Sequence, residues 1–380
     1  MKKSFYQDFK LGILGGGQLG RMLIQEAINF NLNVSVIDPD QEAPCKNIVH
    51  KFVNGSITDY ETVMNFGKDL DLITIEIENV NAEALSDLEK SGVRVFPQPH
   101  IIKLIQDKRS QKQFYKDNGI PTADFVLINH KSDLEQHGDM LPAVLKLGKA
   151  GYDGRGVMTM KSAEDFQKAF DAPSLLEKKI DFEKEISVIV ARNMDGEISV
   201  FPVVELVFNP VYNLVDYLFA PANITEKTSE KAISIAKNVI EKLGMVGLLA
   251  VEMFITKEGE VLVNEIAPRP HNSGHHTIEA NFTSQYGQHL RAILNLPLGS
   301  TNTRAKAAMV NLLGEEGFNG IARYEGLEEI LKADGIFPHL YGKKFTKPSR
   351  KMGHITIIDN DEKSLHQKLN FVKSTIKVKA

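Results

Sequence analysis

Two apolar runs near the middle of the chain each carry acid side chains in otherwise apolar company. Gly247–Thr256 is apolar on both faces apart from Glu252, and Val261–Ala267 is apolar apart from Asn264 and Glu265. Only Lys257-Glu258-Gly259-Glu260 separates them. Read as a hairpin closed by a two-residue Glu258-Gly259 turn, the pairing sets Glu252 directly across from Glu265. Opposed Cβ atoms on neighbouring strands lie roughly 4.5–5.5 Å apart. Two carboxylates that close, among Ala250, Phe254 and Val263, repel, so one holds a proton or a cation sits between them. Oxygen ligands select a hard ion, and Mg²⁺ commonly takes one or two carboxylates together with nucleotide phosphates. Asn264 joins the pair only if the strand bulges. The competing reading is an edge hairpin with both acids in water.

A second set of residues suits phosphate. Residues 142–147 (PAVLKL) read as a strand with one lysine, Lys146, in apolar company. Gly151-Tyr152-Asp153-Gly154-Arg155-Gly156 follows, then a strand from Val157. A strand, glycine-rich loop and strand make a flap whose amides can cover phosphates. It is not a Walker loop, because no helix follows and Gly-Lys-Ser/Thr is absent. Lys146 would supply a point charge; the alternative is a stem along the core with its amine in water.

Near the N-terminus, Gly15-x-Gly17-x-x-Gly20 lies between a strand and a helix, with Asp38 eighteen residues beyond Gly20. This fits a dinucleotide fingerprint, and equally a Rossmann-like turn that binds something else or nothing. Gln18, Arg21 and the Glu76-Ile77-Glu78-Asn79 run add polar groups at the mouth, where ligands of parallel sheets bind.

The elements that must position these residues follow from periodicity. Residues 11–14, 34–37, 72–75 and 93–96 are short apolar strands, and helices follow from Arg21 and over 82–90. Such βα repetition predicts a parallel sheet covered by helices. A single charged amphipathic helix is predicted over 104–118. Polar-alternating strands such as 185–190, and a helix over 229–243 closed by Gly244, then predict an α+β region built on antiparallel sheets. Residues 309–313 and 354–358 read as strands of a last segment.

Charge excludes some partners. The 380 residues hold 45 basic and 49 acidic side chains, a net charge of −4. A nucleic-acid or membrane-surface role needs a basic footprint that this balance lacks, although a local patch is compatible with it. The one cysteine, Cys45, reads as a buried small hydrophobe. No signal-peptide core follows Met1, and no apolar run is long enough to span a bilayer, so the expected compartment is the cytoplasm.

Taken in order, these stretches resemble the ATP-grasp superfamily and, within it, the N5-carboxyaminoimidazole ribonucleotide synthase family. The likeness rests on residues 15–22 (GGGQLGRM), 151–156 (GYDGRG), 264–275 (NEIAPRPHNSGH) and Arg350-Lys351-Met352-Gly353-His354. It implies a Rossmann-like pre-ATP-grasp domain (1–104), a two-lobed ATP-grasp domain (105–300) and a small C-terminal β domain (301–380), assembled as a homodimer. It implies ATP-dependent carboxylation of 5-aminoimidazole ribonucleotide by bicarbonate, through carboxyphosphate, with Mg²⁺ on Glu252 and Glu265.

The resemblance also assigns residues. Lys108 and Lys146 contact ATP phosphates under the flap 151–157, Asn264 lines the nucleotide beside Glu265, and Glu177, Lys178, Lys179 and Ile180 form the adenine hinge. Glu185 holds the ribose. Arg269, His271 and Asn272 hold bicarbonate, Arg269 as a bidentate fork and His271 as a proton carrier. Gln18 and Glu78 face the ribonucleotide, Lys343, Arg350 and Lys351 take its 5′-phosphate, and Tyr152 and Arg155 reach imidazole or bicarbonate on closure. His275 and His276 are open between loop packing and catalysis.

Two positions depart from the family pattern: Lys108 stands where many relatives have Arg, and Phe208 where many have His. The rivals are an NAD-dependent oxidoreductase, another ATP-grasp ligase (formate-dependent glycinamide ribonucleotide transformylase or biotin carboxylase), and a binding module without catalysis.

Overall fold

Five short apolar strands alternate with helices through the first hundred residues. The computed structural model describes residues 4–149, 156–208 and 215–380, so the expected flap residues Gly151, Tyr152, Asp153, Gly154 and Arg155 lie outside the described residues. Strands β1 (Lys10–Leu14), β2 (Asn33–Asp38), β3 (Lys51–Asn54), β4 (Leu72–Ile75) and β5 (Arg94–Val95) pair in parallel in the order β3-β2-β1-β4-β5. Helices α1 (Gln18–Asn29), α2 (Tyr60–Gly67) and α3 (Ala82–Lys90) connect them. Leu11, Ile13, Leu72, Ile73 and Ile75 are fully buried, as both faces of a helix-covered parallel sheet require. The strand order reverses at β1 and β4, whose carboxyl ends lead into Gly15–Gly17 and Glu76–Glu78. That reversal is where ligands of open parallel sheets bind.

The single helix expected over 104–118 is two helices, α4 (Pro99–Ile105) and α5 (Lys108–Asp117). Asp107 breaks the run: its carboxylate accepts from the Arg109 amide at 3.0 Å and caps α5. The Gln106 side chain is drawn to the Glu78 and Val80 carbonyls. Lys108 therefore opens a helix instead of lying mid-face on one.

The antiparallel strands expected next form two sheets. Strands β6 (Phe125–Ile128), β7 (Ala143–Leu147), β8 (Val157–Met160) and β9 (Ser174–Lys178) make a four-stranded sheet in the order β6-β9-β7-β8. A larger sheet holds β10 (Phe182–Arg192), β11 (Ile198–Val200), β12 (Val204–Phe208) and β13 (Val215–Ala220). Helix α6 (Glu226–Leu243), capped by Thr225 and closed by left-handed Gly244, packs Ile235, Val239 and Ile240 into its core. The sheet continues through β14 (Gly247–Thr256) and β15 (Val261–Ala267); α7 (Thr277–Ala280) and α8 (Gln285–Leu294) follow in the chain.

The last segment adds β16 (Ala307–Leu313), β17 (Gly320–Ile321), β18 (Arg323–Glu325), α9 (Leu327–Ile330), β19 (Ile336–Leu340), β20 (Phe345–Thr346), β21 (Lys351–Ile358), α10 (Glu362–Thr375) and β22 (Lys377–Lys379). Its β16, β21 and β19 extend the large sheet, in the order β15-β14-β10-β12-β13-β16-β21-β19. The C-terminal segment thus shares one sheet with the strands that carry the acids.

The β14/β15 hairpin corrects the sequence reading in its path but not in its result. The loop holds three residues, 257–259, with Gly259 at φ +79°, so near the turn Phe254 pairs with Leu262 and Met253 with Val263. Continued without interruption, that register would set Glu252 opposite Asn264. A bulge at Asn264 restores the register, and Glu252 pairs with Glu265.

Candidate active site

The acids sit on one face of the large sheet. Ser187 pairs with Glu252 across β10 and β14, and Glu185, two residues back, pairs with Phe254. Glu185, Glu252 and Glu265 therefore face the same side, since the side-chain period of a strand is two. Burial and the Glu265 and Glu185 charges push the Glu252 carboxyl up. Lys108, whose Nζ lies 2.8 Å from Glu265, holds Glu265 down against burial. The pair is thus split by its neighbours, Glu252 raised and Glu265 lowered, and titrates as a unit. Glu185 is pushed up to about 7, chiefly by burial and then by Glu265.

The lysines converge from the other side. Lys146 on β7 donates to Asn264 Oδ1 at 3.2 Å and pairs with Glu177. Lys112, one turn beyond Lys108 on α5, also pairs with Glu177 and donates to Thr122, which in turn donates to the Val263 carbonyl at 2.6 Å. Glu177 and Lys112 are almost wholly buried. Burial pushes the Glu177 carboxyl up, but Lys146 and Lys112 outweigh it and the net shift is downward. Sequence reading missed Lys112; its signal was the i, i+4 spacing from Lys108. A narrow crevice is lined by Lys108, Gln111, Lys112, Lys146, Asn264 and Glu265. A larger cavity, about 190 Å³ beside Glu26, Arg291 and Arg304, lies away from these acids.

Other expected nucleotide residues are nearby or peripheral. Glu177 starts the hinge, whose Lys178 and Lys179 amides donate to Asp124 and Pro142 carbonyls while their side chains are exposed; Ile180 is half-buried. Phe182 stacks on Phe254 at 4.6 Å between ring centres, an apolar wall that sequence reading did not single out. Gly156 has φ +69° and precedes the exposed Val157. Phe208 ends β12 beside a register shift, and Glu205 pairs with Lys184.

The loop after β15 carries the expected anion-holding residues. His271 Nε2 lies 3.5 Å from Glu252, and its Nδ1 faces Ser273, accepting from the Ser273 amide at 3.3 Å. Burial, then Arg269 and Lys351, hold its pKa down to about 3, so the imidazole is neutral. Arg269 ion-pairs with Glu78 at 2.9 Å, tying this loop to the mouth of the parallel sheet. Asn272 differs from expectation in its surroundings: its amide is in a reciprocal pair with Asn311, at 2.8 and 3.1 Å. His275 and His276 are buried and bonded within the loop and its supports, which favours packing for both.

Of the basic cluster, Lys351 is close enough to act on Glu252 and His271, and Lys343 on Glu76; Lys343 Nζ also donates to the Lys351 carbonyl at 2.8 Å. The Arg350 guanidinium instead donates to the Phe345 carbonyl from an exposed position. Gln18 opens α1, half-buried at the mouth.

The glycine loop spends its amides on the protein itself. Gly15 N–H bonds the Ile37 carbonyl, Gly16 N–H bonds Asp38 at 2.6 Å, and Leu19 N–H bonds Glu76 at 3.1 Å. Asp38 also accepts from Asp40 N–H, leaving it poorly placed for a ribose. A pyrophosphate would have to break these bonds, which argues against the dinucleotide reading. Cys45 is buried behind this loop, and burial pushes its thiol up, away from reactivity.

Two opposed carboxylates and the carbonyl oxygen of Asn264 are an all-oxygen set suited to a hard divalent ion. Among the described residues no group of three or more His, Cys, Asp or Glu is placed to hold a metal ion, so the set here is the two carboxylates with the Asn264 oxygen. Nor, among them, is any helix long and apolar enough to cross a membrane.

Comparison with known proteins agrees along the whole chain. Residues 9–106 match the ribonucleotide synthetase preATP-grasp domain, 113–286 the ATP-grasp domain, and 307–368 the phosphoribosylaminoimidazole carboxylase C-terminal domain. The chain is 37% identical to the N5-carboxyaminoimidazole ribonucleotide synthase of Bacillus subtilis, covering 95% of this chain and 94% of that one. It is 40% identical to the chloroplastic phosphoribosylaminoimidazole carboxylase of Vigna aconitifolia, over 94% of this chain but only 66% of the plant protein. The solved N5-carboxyaminoimidazole ribonucleotide synthetase of Thermotoga maritima superposes with a TM-score of 0.90 at 43% identity, covering 98% of this chain and 99% of that one.

Proposed function

The chain belongs to the N5-carboxyaminoimidazole ribonucleotide synthase family of ATP-grasp enzymes, and on that premise we propose how its residues act. It is an ATP-dependent carbon–nitrogen ligase of purine biosynthesis that carboxylates 5-aminoimidazole ribonucleotide. The observation that carries the residue assignment is the opposed Glu252/Glu265 pair, with Lys108 and Lys146 on one side and His271 on the other. A fungal relative has been solved with ADP and 5-aminoimidazole ribonucleotide, the ligand pair this site would have to take.

ATP lies over the crevice, its phosphates against Lys108 and Lys146 and its base near the 177–180 hinge and Phe254. Glu185, its carboxyl pushed up by burial and by Glu265, holds the ribose. Glu252, Glu265 and Asn264 would hold Mg²⁺, which when bound neutralises phosphate charge. Bicarbonate is a poor electrophile, so its oxygen attacks the γ-phosphorus, releasing ADP and forming carboxyphosphate. Arg269 and Lys351 hold the anion beside His271, whose neutral imidazole faces Glu252. The exocyclic amine of the ribonucleotide then attacks the carboxyl carbon and expels phosphate. Gln18, Glu78 and Lys343 border the ribonucleotide, with Arg350 reaching its 5′-phosphate from the rim.

We place the division between domains near 104 and 300, the protein in the cytoplasm, and its assembly as a homodimer. The test is steady-state ADP release with Mg-ATP and bicarbonate. Strong stimulation by 5-aminoimidazole ribonucleotide supports the assignment; stimulation by formate with glycinamide ribonucleotide instead would overturn the substrate.

A further inference from the structure

Asn311 on β16, His354 on β21 and His339 on β19 form one rung across three neighbouring strands of the C-terminal segment: Asn311 pairs with His354, and His354 with His339. Each member of the rung touches one residue of the helical stretch that follows His271. Asn311 exchanges amide bonds with Asn272, His354 stacks on His275 at 4.6 Å, and His339 Nε2 meets Glu279 at 2.8 Å. Residues 272, 275 and 279 are spaced three and four apart, the spacing that lines up one face of a helix. His339 and His354 are themselves stacked at 4.4 Å with their rings nearly parallel, 9° apart.

The rung is buried where it matters. His354 is fully enclosed and Asn311 nearly so. His354 Nδ1 meets the Tyr341 hydroxyl at 3.0 Å, while its Nε2 has no hydrogen-bond partner among the described residues. A buried ring nitrogen left unsatisfied is unfavourable, so hydrogen bonding alone does not explain an imidazole here. Its flat face against His275 does. The same strand, three residues earlier, carries Lys351, whose charge reaches His271 and Glu252.

We propose that this rung sets the position of His271 relative to Lys351, making His354 and Asn311 positioning residues for the bicarbonate step. It rests on the functional reading above. Arg269 and His271 reach the reaction from the β15 loop, Lys351 reaches it from β21, and the rung is the contact that locks the two together. Asn272, in this view, docks its loop instead of touching bicarbonate.

The experiment compares H354A, H354F and N311S with the unmodified enzyme, measuring ADP release dependent on 5-aminoimidazole ribonucleotide. H354A removes the stack and lowers kcat/KM for bicarbonate by about 10–100-fold, the scale of a misplacement near 1 Å. KM for ATP stays within about twofold, because the nucleotide side is untouched. H354F keeps a flat ring and recovers most of the bicarbonate kcat/KM. Should H354A fail to fold, N311S reads out the same split, since its shorter side chain gives up the Asn272 amide bonds, and the one to the Val215 carbonyl, and leaves the ring column alone. Equal losses toward ATP and bicarbonate, or an unchanged bicarbonate kcat/KM in N311S, overturn the proposal. An unmodified enzyme that ignores the ribonucleotide would instead sink the functional reading on which it rests.

Discussion

Replacing Glu252 by Gln should stabilise the metal-free protein while destroying its activity. Glu252 and Glu265 are directly paired across β14 and β15, so their charges lie roughly 5 Å apart. At an effective dielectric constant near 20, two unit charges at that distance repel by about 3 kcal/mol. Burial and this repulsion raise the folded-state pKa of Glu252 above its unfolded value. The native state then holds that proton more tightly than the unfolded chain does. Stability from this group is full below the unfolded value and is lost as pH rises through the folded one. Thermal unfolding in EDTA should therefore show E252Q equal to the unmodified protein near pH 4, below the unfolded value. Near pH 8.5 it should melt higher by up to about 4 °C, taking roughly 1.3 °C per kcal/mol for a chain of this length. ATP turnover with Mg²⁺ should drop by more than about 100-fold. Equal melting of the two proteins at pH 8.5, or a lower value for E252Q, would refute the frustrated pair.

Three further outcomes are expected. K112M leaves Glu177 with one partner of two, costing up to about 3–5 kcal/mol as broken buried pairs do, and raises KM for ATP because Glu177 then holds Lys146 alone and more tightly, away from phosphate; urea unfolding and ATP titration check it. His271 is depressed to about 3, so the pH profile of kcat/KM for bicarbonate should carry no inflection near 6.5 that disappears in H271N. In D38A the Gly16 amide loses its acceptor, which should cost about 1–3 kcal/mol of stability by chemical denaturation without creating or abolishing NADH binding, checked by fluorescence.

Much of the scaffold was legible because local pattern and tertiary context agree. Strand β4 and helix α3 fall where the apolar run 72–75 and the helical stretch 82–90 put them, since a sheet buried on both faces needs continuous apolar runs. The helix over 104–118 was misread because the Asp107 cap lies inside an unbroken amphipathic pattern. The acid pair was found through two compensating features that sequence does not distinguish, a three-residue loop and a bulge at Asn264. Lys112 reads as one more charge on a charged helix, and only burial against Glu177 gives it a role. The Asn311–His354–His339 rung joins residues that are 43 and 15 apart in sequence, counting along the chain from 311 to 354 and from 339 to 354, so no local signal could assemble it.

The central claim is that ATP phosphorylates bicarbonate at this site, and ¹⁸O-labelled bicarbonate tests it most directly. Reaction with Mg-ATP and 5-aminoimidazole ribonucleotide should place one ¹⁸O in the released inorganic phosphate, because the attacking bicarbonate oxygen stays on phosphorus when the amine displaces it. Phosphate released without label, in a reaction that still consumes the ribonucleotide, would contradict the account.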